Sequence, residues 1–302
     1  MNAVHMLAST GSQGDLLSRI FVFDRYGELL AMLSNSILAG AVLGLIGGFV
    51  GMFVMMRDHA FAVHGISEMS FAGAALALLL GYDVVTGSMV GSVLSALLIA
   101  FIGSAQKDES NSVIGALMPF GLGLGILFLS LYQGRSANKF SLLTGQIVSI
   151  DSDQLGTMIV GAVVIIGALA LMWRPLSFAS LDPEVAAAKG VPMRGLSIAF
   201  MVVLGIAVAL SVQVVGSLLV LALLITPSAA ALQVTASPLK ALILSVIFAE
   251  ASIVGGILLA LAGSLPISPY VTTISFVVYL VCRGIAWYRR RYSASGRVVR
   301  VS

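Results

Sequence analysis

His64 and Glu68 are the only Asp, Glu, His, Lys or Arg side chains between His59 and Asp83, within an apolar stretch long enough to cross a bilayer. Four residues apart on a helix, they share one face, one turn above the other. A charge at the centre of a spanning helix opposes insertion by about 2.5–3.5 kcal/mol. Such a side chain therefore faces a partner or a wet cavity rather than lipid. Imidazole and carboxylate are both good donors to a divalent transition metal, so the pair is the first candidate for the site of a transported ion. Two ligands from one helix leave a tetrahedral ion short of its usual four. Glu250, mid-span in Ile247-Phe248-Ala249-Glu250-Ala251-Ser252-Ile253, is the first candidate for a ligand from another span.

The elements that must hold these groups follow from composition. The 302 residues are 59% hydrophobic and 10% charged, with a mean hydropathy of +1.07. Soluble domains carry about 25% charged residues, and so few polar side chains cannot cover a core of this size in water. The chain is therefore read as an all-α, polytopic membrane bundle. Its net charge of +3 does not point to nucleic acid, because the basic residues sit at span ends. Cys282 is the only cysteine, which excludes an internal disulfide and a thiolate metal cage.

Nine apolar runs of roughly 20 residues are expected to cross, at about 29–56, 60–81, 84–104, 112–131, 155–173, 195–213, 216–234, 239–262 and 267–287. Residues 1–28 lack a signal-peptide pattern and read as an N-terminal interfacial segment. Residues 29–288 form the membrane domain, and 289–302 a basic tail. The apolar stretch 140–150 is too short to span. Counting back from Arg289-Arg290-Arg291 in the cytoplasm puts twelve Lys and Arg on that side and four outside: Arg19, Arg25, Arg135 and Lys139. The expected orientation is N-out, C-in; eight spans are the alternative count, which would break this alternation unless the N-terminal segment re-enters. Asp83, Asp151 and Asp153 then fall outside, where they would raise the local cation concentration at an entry. Pro119 and Pro227 are expected to kink or break their spans.

The longest hydrophilic connection on the cytoplasmic side is 177–194. Asp182 is placed to cap a helix with Pro183 in its first position and Glu184 in its first turn. Gly190 gives a C-terminal stop, with Pro192 just beyond. A helix of about two turns, carrying Lys189 at its end, is expected outside the membrane at about 181–194.

Four stretches carry a resemblance. Asp182-Pro183-Glu184-x-Ala186-x-x-x-Gly190-x-Pro192, after the fifth span, resembles the coupling helix of the permease subunits of bacterial zinc/manganese ABC importers. Arg57 followed by the segment 64–73 resembles that family's second span. Leu143-Thr144-Gly145-Gln146 resembles its extracellular Leu-x-Gly turn. The run from Gly216-Ser217-Leu218-Leu219-Val220 to Pro227 and Ala231 resembles its Gly-x-Leu-Leu-Val-x-Ala-Leu-Leu-x-x-Pro-x-x-x-Ala span. The likeness covers about 30–285. In one respect the chain departs from it: the family usually has Asp and His four residues apart in the second span, and aligned on Gly73 this chain has His64 and Glu68, the reverse order.

The resemblance implies a homodimer in the bacterial cytoplasmic membrane. It also implies two cytoplasmic ATPase subunits docked on Asp182, Pro183, Glu184, Lys189, Gly190 and Pro192, and an extracytoplasmic metal-binding protein that delivers the ion. The implied cargo is zinc first and manganese second, with no permanently bound cofactor. No Gly-x4-Gly-Lys-Ser/Thr loop is present, so ATP hydrolysis is assigned to another polypeptide and the chain itself is not an enzyme. Two alternatives stand beside this reading. A permease for chelated iron or a cobalamin-type substrate would have a less charged path. An ion-coupled secondary carrier would titrate the His64/Glu68 pair.

Overall fold

The computed structural model describes residues 33–102, 107–134, 142, 145, 150–261 and 267–295. The expected N-terminal segment, Arg135 and Lys139, most of 140–150 and residues 296–302 lie outside them. The described residues form eleven helices: α1 Ser34–Met56, α2 Ala60–Leu80, α3 Val84–Ile102, α4 Lys107–Leu131, α5 Ser152–Leu181, α6 Pro183–Ala188, α7 Met193–Val215, α8 Ser217–Leu224, α9 Thr226–Val234, α10 Pro238–Leu261 and α11 Ile267–Ser295. Eight of them are long and apolar enough to cross a membrane.

The stretch expected as the seventh span, 216–234, is the exception. Gly216 has φ +80, and Pro227 in the first turn of α9 has no N–H to continue α8. The result is two short helices meeting at Ile225. Together they still run the length of the bundle. Gly216 lies beside Gly145, whereas Leu232 packs with Met52, Met56 and Leu242 at the opposite end. The break is covered by polar contacts. Ser228 Oγ donates to the Leu224 carbonyl at 3.1 Å, and Ser245 Oγ donates to Gly48 O at 3.0 Å. Irregular backbone at this depth is tolerated where protein surrounds it. Pro119, by contrast, sits inside a continuous α4.

Small residues let the helices touch backbone to backbone. A Cβ on Gly91 of α3 would stand 3.2 Å from the Gly73 Cα of α2. α2 is packed by α3, α4, α7 and α8. The bundle has two distinct ends. One gathers Asp83, Asp151 and Gln213 around a shared cavity. The other carries the α1–α2 turn, where the Arg57 guanidinium lies 5.6 Å from the Phe200 ring and Phe53 meets Trp173 edge-on at 5.3 Å.

Candidate metal-translocation site

His64 and Glu68 both project from α2. The His64 side chain is 34% exposed and that of Glu68 4%, and Nδ1 of His64 stands 3.9 Å from Oε1 of Glu68. That is too long for a hydrogen bond. Two donors on one tetrahedral ion, each about 2.0–2.2 Å from it, would be about 3.4 Å apart, so a small rotation of either side chain closes the bite. Nδ1 of His64 and Oε2 of Glu68 are buried without a hydrogen-bond partner among the described residues. A buried carboxylate oxygen with no donor is costly, and a cation is the simplest group that would satisfy it.

Local sequence explains the placement. Ser67 returns its hydroxyl to the His64 carbonyl at 2.9 Å, so this neighbour stays out of the bite. Gly121 of α4 lies against the Glu68 backbone, and a Cβ there would stand 2.9–3.1 Å from it. The missing side chain at 121 lets α4 press on α2 beside the carboxylate.

Glu250 occupies another place. It stands on α10 over Gly44 of α1, where an added Cβ would meet its Cδ at 2.8 Å. Among the described residues no three His, Cys, Asp or Glu side chains converge on a metal-sized site. The expected third ligand is therefore not brought to the pair within one chain.

Asp83, Asp151 and Asp153 lie at one end of the bundle, lining a cavity of about 640 Å³ together with Gln154, Gln213 and Ser88. His64 and Glu68 do not line it. Two of these aspartates also cap helices, a role that the spacing Asp-x-x-Thr and Asp-x-x-Gln could have disclosed. Asp83 Oδ2 accepts from Thr86 Oγ1 and from Thr86 N, both at 2.8 Å. The hydroxyl and then the backbone N–H hold its carboxyl below the usual range. Asp151 Oδ1 accepts from Gln154 N at 2.8 Å. Changing all three to Asn should keep both caps and slow uptake mildly at low ionic strength only, since steering is screened over about 8 Å at physiological salt. Asp83→Ala and Asp151→Ala should each lower stability by about 1 kcal/mol through the lost cap. Thermal unfolding and uptake at two salt concentrations check this, and loss of transport from one Asn change would make that aspartate a ligand.

At the other end α6 has the expected form. Asp182 Oδ1 accepts from Val185 N at 3.0 Å, and Pro183 opens the helix. Gly190 at φ +83 turns the chain, with Val191 N donating to Ala186 O at 3.1 Å. Ala186 is buried, whereas Glu184 and Lys189 are exposed. α5 continues to Leu181 through Pro175, so it delivers the chain to α6 as one continuous helix.

Comparison with known proteins agrees with this architecture. Residues 30–285 match the ABC 3 transport family. The manganese transport system membrane protein MntC of Halalkalibacterium halodurans is 28% identical over 239 residues, 78% of this chain and 81% of that protein. The high-affinity zinc uptake system membrane protein ZnuB of Haemophilus influenzae is 25% identical over 232 residues, 77% of this chain and 89% of that one. The structure of PsaBC from Streptococcus pneumoniae in complex with Fab superposes with a TM-score of 0.77 at 25% identity, covering 86% of this chain and 95% of that one. The eight long apolar helices and the family match over most of the chain lead to one conclusion: this protein is a membrane-embedded permease subunit belonging to the ABC 3 transport family.

Proposed function

We propose that this chain is the permease of an ATP-driven importer for a divalent transition-metal ion, with zinc ahead of manganese. One observation carries the reading: a buried Glu68 oxygen beside a buried His64 nitrogen on α2, both without a hydrogen-bond partner among the described residues. One nitrogen and one oxygen donor favour zinc over manganese in the usual order of divalent affinities. Manganese is the second reading, supported by the relative named for manganese transport.

The pair supplies two ligands. The remainder comes from water or from the same pair in a second copy across a homodimer axis. Positive-inside bias supports placing the Asp182–Lys240 end in the cytoplasm, so that α6 meets an ATPase subunit and the aspartate-lined end meets a metal-delivery protein. ATP binding at the ATPase pair moves α6, and the bundle re-exposes the His64/Glu68 level to the other side. The test is uptake of zinc and manganese, measured side by side, by the complex reconstituted in vesicles with ATP. Zinc uptake at lower concentration than manganese is expected. Saturable manganese uptake with no zinc uptake would reverse the order, and uptake of neither would remove the reading.

A further inference from the structure

We infer that the C-terminal end of α11 is a binding surface for the headgroup of an anionic phospholipid. α11 has 29 residues, about 43 Å at 1.5 Å per residue, against about 30 Å of hydrocarbon. Its last turns therefore stand in the headgroup layer and beyond. Arg289, Arg290 and Arg291 are exposed there, and Arg283, about 24 Å from the start of the helix, is exposed just inward of them. After Glu250 the sequence contains no Asp or Glu.

The helices packed on α11 add charge of the same sign. Gly256 of α10 lies against Val271, and the antiparallel register carries the exposed Lys240 to the level of Trp287. Of α8, α9 and α10, the helices that pack on α11, only α10 carries a carboxylate, Glu250. By the same register Glu250 lies near the level of residue 277, about 18 Å along the axis from Arg289. Among the described residues, these three helices bring no carboxylate to the level of Arg289–Arg291.

Positive-inside topology needs basic residues but not an aromatic framework. Here the Arg291 guanidinium lies 5.1 Å from the Trp287 ring, and Arg283 Nη1 donates to the Tyr279 hydroxyl at 3.3 Å. Two guanidinium groups are thus held at separate heights, about 12 Å apart along the helix. Immediately inward, Val277, Leu280 and Val281 are exposed and apolar. A cationic cluster continuous with an apolar strip matches a phospholipid, whose phosphodiester meets the arginines while its acyl chain lies along the strip. An acidic face on a soluble protein would have no use for the strip.

The chain has two tryptophans, so Trp173→Phe leaves Trp287 as the sole emitter. The variant is placed in bilayers of phosphatidylcholine with phosphatidylglycerol, the acyl bromines carried by one lipid or by the other. Phosphatidylglycerol should quench Trp287 as if enriched about tenfold at that position. The triple change Arg289→Gln, Arg290→Gln, Arg291→Gln should bring the enrichment close to one, and the triple Lys change should keep most of it. Lipid retained by the detergent-purified wild-type chain should be enriched in phosphatidylglycerol, a readout that needs no variant. Equal quenching by both lipids would overturn the inference, as would an enrichment unchanged by the Gln triple. Loss of ATPase-subunit association in that triple, with lipid preference intact, would assign the arginines to a protein contact instead.

Discussion

His64→Ala and Glu68→Ala are each expected to abolish metal uptake while leaving membrane insertion and expression near normal. The imidazole and carboxylate face one another at 3.9 Å on α2, and each has a buried atom without a hydrogen-bond partner among the described residues. Removing either leaves one protein ligand per chain, too few to strip a divalent ion of its water. Removing the carboxylate should, if anything, ease insertion, because a charge at mid-span opposes it. Glu68→Asp should be partly tolerated, since it shortens the reach but keeps the charge. Glu68→Gln should not, since an amide is a poorer ligand for zinc than a carboxylate. Uptake in vesicles, set beside protein levels, reads the outcome. Near-normal uptake by the double Ala variant would show that α2 packs and does not bind.

The same pair gives uptake a direction with pH. A metal needs the imidazole neutral and the carboxylate ionised, so uptake should fall as pH drops through the imidazole range, ordinarily near 6.5. Asp83 cannot produce that fall. The Thr86 hydroxyl and N–H hold its carboxyl below the usual range, so its contribution is complete at pH 5 and lost only on further acidification.

Features governed by near neighbours in sequence were readable in advance. The α6 cap, its proline and its left-handed Gly190 each depend on residues within a few positions, and all appear at the expected numbers. His64 and Glu68 were conspicuous because charge is rare inside a span. Features governed by side-by-side packing were not readable. Nothing around residue 250 says that its carboxyl will settle over Gly44 of α1, which keeps it from serving the pair. Arg174-Pro175 reads as a boundary, yet α5 continues to Leu181. α11 likewise runs to Ser295 through the arginines, because arginine is a good helix former and charge ends the apolar pattern without ending the helix. The run 216–234 announced a crossing, and Pro227 hinted at its break. Of the serines at the break, Ser228 bonds back to Leu224 within four residues, whereas Ser245 beside it comes from α10.

Glu184→Lys should remove most ATP-driven uptake without unfolding the protein, and the geometry of α6 says why. Ala186 is fully buried and anchors the helix to the bundle, while Glu184 is exposed in the first turn. Leu181 at the end of α5 and Val185 on α6 are 63% and 43% exposed, so apolar surface beside Glu184 is left uncovered by the bundle. Substitution of an exposed residue changes stability by about 0.5 kcal/mol or less, so thermal unfolding should move little. Reversing a charge at a contact between proteins is expected to cost far more. ATPase activity of the complex should persist but no longer track metal. Gly190→Val should act by another route. At φ +83 a β-branched residue is strained by about 1–2 kcal/mol, which would displace α6 while leaving its exposed residues unchanged. Loss of uptake in both variants, with stability lowered only in the second, is the expected pattern. Uptake by the chain alone, driven by an ion gradient with no ATPase subunit present, would show that α6 merely connects α5 to α7.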